Sequence, residues 1–381
     1  MSAFAAQQAD LARLAQASRR RALSGRGGAD FSSNDYLGLA ASPALAKAVQ
    51  AALARGVPVG SGGSRLLRGN HAEHEMLEAE AAMFFGCERA LYFSSGFAAN
   101  SALLSTLPQR GDLVVHDELI HASVIEGIRL GRAEHVVVRH NDAAAFEGAV
   151  RGWRQRGGIG RVWLAVESVY SMDGDRAPLD DLAAIAARHD GVLLIDEAHA
   201  TGVFGPEGRG LAAHLEGQPN VITLRTCGKA LGCEGALVCA PGVVADFLIN
   251  RGRGFIFSTA PSPLMAAAVR AALQLLKAEP ERRDMLWQRV RLAEQVLGPL
   301  GATVSGSQIL PAIIGEDGAT MESAAALQQA GFDVRGIRPP TVPPGTARLR
   351  IAITLNVSEA EITGLGDALR AVSAQTAAQT S

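Results

Sequence analysis

The sequence predicts an α/β fold built on a doubly wound, mainly parallel sheet, followed by a smaller α+β domain at the C-terminal end. Two observations carry that reading. Between about residues 89 and 240, short and almost wholly apolar runs alternate with longer amphipathic stretches. Runs of that kind suit strands covered by helices on both faces, as in parallel sheets. After about residue 275 the texture changes to a long helical stretch and weaker strand candidates. The chain therefore divides into an N-terminal arm (1–34), a large α/β domain (35–275) and a small α+β domain (276–381).

Taken in order, MSAFAAQQADLARLAQASRRR reads as a short amphipathic helix. Its basic residues follow the apolar ones, the reverse of a secretory signal. The strand candidates are RALYF (89–93), DLVVH (112–116), HVVVR (135–139), VWLAVE (162–167), GVLLID (191–196), VITLR (221–225) and GALVCA (235–240). Helical stretches lie between them, one of them LDDLAAIAARH from Leu179. A helical stretch over roughly 262–298 leads to the strands QILPAII and ARLRIAI, with a helix near 320–330 between them and another after Asn356. The Pro- and Gly-rich RPPTVPPGTARLR must be a rigid loop entering a strand. SAQTAAQTS reads as a frayed tail.

The balance of 36 basic against 38 acidic residues gives no electrostatic reason to expect nucleic acid or an anionic membrane as partner. No stretch approaches the length of a membrane span, so a cytoplasmic location is expected. Cys87, Cys227, Cys233 and Cys239 form no CxxC pair and have no histidines at zinc spacing. They read as thiols of a reducing compartment.

Three turns after strand candidates carry chemically useful groups. In FSSGFAAN (93–100) a strand runs into Ser-Ser-Gly and a helix begins. The unsatisfied N–H groups of a helix start bind phosphate, and Gly96 allows close approach. The same string also fits an ordinary Ser-capped turn. In LLIDEAHATG (193–202), Asp196 and Glu197 end a buried strand and His199 follows. A carboxylate there can hold a buried cationic group of a ligand in its protonated form. No G-x-x-x-x-G-K-[ST] loop accompanies it, against a nucleotide hydrolase. In TCGKALG (226–232), a Gly turn aims Thr226 and Lys229 at one pocket. A desolvated lysine becomes nucleophilic enough to form a Schiff base, the bland alternative being a solvated surface charge.

His121, in DELIHASVIEG, opens a helix after a strand, where an imidazole could stack on a flat ring. His71 and His74 stand at i, i+3 in GNHAEHE, but with no third ligand at sensible spacing they read as structural or dimer-contact residues. No metal is expected. A phosphate cradle, a carboxylate, a stacking histidine and a Schiff-base lysine form the set that pyridoxal phosphate requires.

The strings SSNDYLGL, GSGGSRLLRGN, SSGFAAN, SMDGD, DEAHATG and TCGKALG resemble the fold-type I α-oxoamine synthases, over about residues 19–370. These enzymes condense an amino acid with an acyl thioester and lose CO2. IRPPTVPPGTARLRIA is similar to the branch that serves biotin biosynthesis, with L-alanine and a pimeloyl thioester of CoA or acyl carrier protein as substrates. The resemblance implies a pyridoxal-phosphate-dependent acyltransferase, fold-type I, working as a homodimer with shared active sites.

Residue by residue, it implies that Lys229 holds the cofactor as a Schiff base and then moves the Cα proton of alanine. Asp196 would pair with the pyridinium nitrogen and His199 with the phenolic oxygen. His121 would stack over the ring and orient the thioester. Gly96 and Phe97 would give N–H groups to the phosphate, helped by the Thr226 hydroxyl. Ser171 would touch the cofactor, with Glu167 nearby. Thr259, beside Ser258, would reach the neighbouring subunit's phosphate. Arg350 and Asn34 would hold the alanine carboxylate, and Thr341 and Arg19 would line the acyl-thioester side.

Two positions depart from the pattern: Ala200 follows the active-site histidine, where glycine is frequent, and Glu234 would bring a carboxylate near Lys229. Three other readings compete. They are a sister synthase using glycine and acetyl-CoA, a fold-type I aminotransferase, and a catalytically silent subunit that keeps the fold for assembly. Joint retention of Lys229, Asp196 and His121 argues against the last.

Overall fold

All seven apolar runs of the central region form strands of one sheet in the computed structural model, which describes residues 2–23 and 25–380, with only the backbone of 375–380. They are β1 (Arg89–Phe93), β2 (Leu113–Asp117), β3 (Glu134–Val138), β4 (Val162–Glu167), β5 (Val192–Asp196), β6 (Val221–Thr226) and β7 (Ala236–Ala240). The order is β1-β7-β6-β5-β4-β2-β3, and only β7 runs antiparallel to its neighbours. The mainly parallel sheet that the sequence predicts is therefore present.

The period of two along each strand explains why both faces are apolar. Val114 and Leu194 pack into a cluster on one face with Leu103, Val124 and Phe255. Their strand neighbours Leu113, Val115, Leu193 and Ile195 pack on the other with Phe146, Leu182 and Ile185. Truncating a fully buried leucine of this kind to alanine costs roughly 2–5 kcal/mol.

Two helices start just beyond strand ends and carry Gly96 and His121 at their first residues or caps. α1 (Gly96–Thr106) follows β1, and α2 (Ala122–Leu130), capped by His121, follows β2. They pack closely because α2 carries a glycine at the crossing. A Cβ on Gly127 would lie 2.8 Å from Leu104 Cβ and 3.0 Å from the Asn100 carbonyl oxygen.

The chain separates into two compact units. One holds residues 37–171 and 176–283, with the seven-stranded sheet; the other holds 1–36, 172–175 and 284–381. The second unit has a three-stranded antiparallel sheet of β8 (Ile309–Gly315), β9 (Arg335–Ile337) and β10 (Ala347–Ala352), ordered β9-β10-β8. A two-residue strand, Ala29–Asp30, pairs in parallel with Phe332–Asp333 in the same unit. The helical stretch read over 262–298 is in fact two helices, Pro263–Ala278 and Glu281–Leu297. Pro280 interrupts it, since proline lacks the N–H that an unbroken helix needs. The last helix runs from Glu359 to Thr380, through most of the segment read as a frayed tail. Ser381 and the side chains of 375–380 in that tail lie outside the described residues. No helix among the described residues is long and apolar enough to cross a membrane.

Candidate active site

Within the larger unit, most of the polar groups singled out in the sequence follow the carboxyl ends of strands, where ligands bind in open α/β sheets. Gly96 comes after β1 and His121 after β2. Glu167 ends β4, with Ser171 beyond it. Asp196 ends β5, with His199 next, and Thr226 ends β6, with Lys229 next.

Asp196 is buried, and both its oxygens accept hydrogen bonds: Oδ1 from the Ala198 N–H at 2.9 Å and Oδ2 from Asn100 Nδ2 at 2.7 Å. His199 is also buried, and its Nε2 stands 2.8 Å from Lys229 Nζ. Lys229 itself is half-buried. The full sequence contains three lysines, and of these Lys47 is solvent-exposed while Lys277 lies over the Phe84 ring. Glu234 is exposed, and what it offers inward is its backbone carbonyl, which accepts a hydrogen bond from Tyr92 Oη at 2.8 Å.

Glu167 pairs in register with Asp196 on the adjacent strand. Its Oε2 accepts from the Ser171 N–H at 3.2 Å, while Oε1 is buried without a hydrogen-bond partner. Burial first, and then the neighbouring Asp196 carboxylate, push its pKa up to about 8, against the opposing pull of Lys229. The shift favours the protonated form of Glu167 near neutral pH. His121 caps α2, its Nδ1 meeting Ser123 Oγ at 2.7 Å and the Ser123 N–H at 3.2 Å. His121 is solvent-exposed, yet desolvation by the surrounding protein lowers its pKa, with Asp196 acting upward and Lys229 downward.

The phosphate turn is formed at the start of α1. Ser95 Oγ accepts from the Ala98 N–H and the Ser95 carbonyl from the Ala99 N–H, so the first-turn N–H groups of Gly96 and Phe97 remain for an anion. A Cβ on Gly96 would come 3.6 Å from Thr226 Oγ1, so the missing side chain leaves the space between this turn and the Thr226 hydroxyl. His71 and His74 are structural. His71 caps its helix, and buried His74 bonds the Pro261 carbonyl oxygen through Nε2 at 2.8 Å. Thr259 is exposed and Ser258 half-buried.

In the smaller unit, Arg350 is buried on β10 and donates from Nη2 to Asn34 Oδ1 at 3.0 Å. Tyr36 Oη donates to the same oxygen at 3.0 Å. Arg350 and Asn34 are thus brought together. Arg19 and Thr341 are not paired with each other. Arg19 Nε bonds Asp317 Oδ2 at 2.6 Å, and it is Arg21 whose Nη2 donates to Thr341 Oγ1 at 2.9 Å. A run of three arginines offers no spacing rule that would choose between them.

This donor set fits pyridoxal phosphate. It has a half-buried lysine amine, a carboxylate ending the next strand, and a helix start whose glycine leaves room beside a threonine hydroxyl. The chain matches the family Aminotransferase class I and II over residues 27–369. It is 43% identical over 335 residues to the 8-amino-7-oxononanoate synthase of Citrifermentans bemidjiense, covering 87% of this chain and 85% of that protein. The chain belongs to the 8-amino-7-oxononanoate synthases, within that wider family.

Among solved structures, the fold resembles the 8-amino-7-oxononanoate synthase of Francisella tularensis with a TM-score of 0.78, 28% identity, and coverage of 93% of this chain and 99% of that one. A serine palmitoyltransferase variant from S. paucimobilis with a bound PLP–myriocin aldimine gives a TM-score of 0.86 at 27% identity, covering 97% and 98% of the two chains. One fold thus serves several members of the wider family, and side chains rather than architecture must choose substrates. Two site residues escaped the sequence reading. Asn100 and Ser123 are small polar residues inside helical strings, and nothing in their spacing marks them.

Proposed function

We propose that the protein joins L-alanine to a pimeloyl thioester, releasing CO2 and free thiol and giving 8-amino-7-oxononanoate for biotin biosynthesis. The observation that carries this reading is the 2.8 Å contact of Lys229 with His199, next to the Asp196 carboxylate on the adjoining strand end. Pyridoxal phosphate, when bound, supplies an imine-forming aldehyde and a ring that accepts the electron pair left by a broken bond at the substrate Cα.

The chain's own residues do the rest. Lys229 would hold the cofactor and move the Cα proton of alanine at Nζ, with His199 beside it to fix its position. Asp196 would pair with the ring nitrogen and favour its protonated form. The Gly96 and Phe97 N–H groups and the Thr226 hydroxyl would hold the phosphate, and Ser171 would touch the cofactor. His121 covers the ring and orients the thioester. Arg350, held by Asn34, grips the alanine carboxylate, a task suited to a guanidinium fork. Thr341, bonded by Arg21, and Arg19 would line the acyl side.

We also infer a cytoplasmic homodimer in which Thr259 reaches the partner's phosphate. Exposed Phe97, Leu130 and Phe257, 51%, 64% and 71% accessible, support a covered face on the larger unit. The acyl carrier is either CoA or acyl carrier protein.

Steady-state assays with alanine or glycine against pimeloyl and acetyl thioesters test the proposal. Alanine with the pimeloyl thioester should give CO2, thiol and the aminoketone. A preference for glycine with acetyl-CoA, or release of a keto acid without CO2, would overturn it.

A further inference from the structure

A chain of hydrogen bonds, buried except at His121, runs between two groups proposed to contact the cofactor ring. Asn100 and Ser123 are 1% and 0% exposed. Asn100 Nδ2 donates to Asp196 Oδ2 at 2.7 Å and to Ser123 Oγ at 3.0 Å, and Ser123 Oγ lies 2.7 Å from His121 Nδ1. Every proton in this chain is fixed by one elementary rule: a carboxylate oxygen only accepts and a backbone N–H only donates.

From one end, Asp196 accepts, so the amide of Asn100 must turn its NH2 group toward it. That NH2 has two hydrogens, and the second goes to Ser123 Oγ. From the other end, the Ser123 backbone N–H donates to His121 Nδ1 at 3.2 Å, so Nδ1 holds a lone pair and no proton. Ser123 Oγ, already accepting from Asn100, then donates its own hydrogen to Nδ1. The two ends agree. The only remaining atom, Asn100 Oδ1, is buried without a partner, so the amide gains nothing by flipping.

We infer that Asn100 and Ser123 are positioning residues that lock His121 as the neutral tautomer with its proton on Nε2. His121 then presents one N–H donor and no charge to whatever lies against it, and its ring plane is set by two bonds to Nδ1. This rests on the reading that His121 covers the cofactor and orients the thioester. A neutral donor can hold a carbonyl or carboxylate oxygen without competing with Lys229 for the substrate proton. The titratable groups around His121 are Asp196, Lys229 and Glu167; desolvation acts most strongly on its pKa and lowers it, Asp196 acts upward and Lys229 downward, and the sum favours the neutral ring. Gly127 makes the chain possible. With any Cβ there, α2 could not approach α1 closely enough for Ser123 to meet Asn100.

Long-range 15N–1H spectra of 15N-histidine-labelled protein test this directly, with the His121 signals assigned by their loss in His121→Gln. Wild type, read both with and without pyridoxal phosphate at pH 7.5, should show the neutral pattern with an unprotonated Nδ1. A proton on Nδ1, or an imidazolium, overturns the inference whether or not the protein makes any product. Ser123→Ala should disturb the tautomer signal and lower kcat/KM for the thioester by about tenfold, as expected for one lost hydrogen bond. Cofactor absorbance should hold, the melting temperature should fall by only a few degrees for the buried donor left on Asn100, and Ser123→Thr should restore both signal and rate. If Ser123→Ala leaves the His121 spectrum and kcat/KM unchanged, the positioning role is wrong. The proposed reaction fails by a different result, absence of CO2 and thiol from wild type, which leaves the tautomer reading untouched.

Discussion

Asp196 and Glu197 are consecutive at the end of β5, yet they serve two polar clusters of opposite design. Asp196 turns toward the ligand side, where its neighbours are a neutral amide, a protonated glutamic acid and, beyond them, a lysine. Glu197 turns to the other side, fully buried, with its Oε2 3.6 Å from the guanidinium of Arg225. Arg225 is 0% exposed, is bonded to Glu216 at 2.6 Å, and lies 4.1 Å over the Phe85 ring. In the second cluster one buried guanidinium serves two carboxyl groups, and burial raises the pKa of Glu197 against the opposing pull of Arg225. In the first, two carboxyl groups sit side by side in register and one of them keeps its proton. The Arg225 cluster holds β6 and its loops in place. The Asp196 cluster keeps bonding capacity in reserve for a ligand.

The contrast can be broken at several points, the largest first. Lys229→Ala should reduce turnover by roughly a thousandfold or more while leaving the melting temperature close to wild type, because the lysine serves chemistry rather than packing. A melting point that falls along with activity would assign Lys229 to structure instead. Arg225→Leu should do the reverse. Removing one partner of a buried ion pair leaves the others uncompensated, at about 3–5 kcal/mol, read by chemical denaturation. Unchanged stability there would mean that Glu197 and Glu216 find other partners.

A smaller effect separates the paired carboxyl groups. Asp196→Asn should cut turnover by about a hundredfold or more, since its charge is what the ring nitrogen needs. Glu167→Gln replaces a protonated acid with a neutral isostere, so its turnover at pH 7 should stay within roughly threefold of wild type. Equal losses in the two variants would show that Glu167 is ionised after all.

The smallest effect is in the pH dependence of stability. Glu167 has a folded pKa of about 8 against an ordinary value of 4.5. Between those values the unfolded chain sheds a proton that the folded chain keeps, so the stability it contributes is full below about 4.5 and is lost as pH rises toward about 8. Glu167→Gln removes that loss. Its melting temperature relative to wild type should therefore climb from pH 5 to pH 8, and a flat difference would contradict the assigned proton.

The same contrast shows how far the sequence can be read. Groups that sit just past a buried strand are legible, because strand ends are marked by apolar runs and the fold rule places ligands there. Lys229, Asp196, His199, Thr226 and Gly96 all fall in that class. Arg225 does not. It reads as the polar end of VITLR, and its burial depends on Glu216 and Glu197 arriving from separate segments. Asn100 and Ser123 are hidden for a related reason: they meet only because Gly127 allows two helices to touch. In the smaller unit, Arg21 rather than Arg19 meets Thr341 because Asp317, nearly three hundred residues along, pairs with Arg19. Pro280 is visible in the sequence, and its break in the helix is ordinary proline chemistry.

The claim on which the rest depends is that Lys229 carries the cofactor. Borohydride reduction of protein loaded with pyridoxal phosphate, followed by proteolysis and peptide mass spectrometry, tests it most directly. With only Lys47, Lys229 and Lys277 in the chain, the outcome is unambiguous. A phosphopyridoxyl group on the Lys229 peptide, at one per chain, is the expected result. A label on Lys47 or Lys277, or none at all, would contradict it.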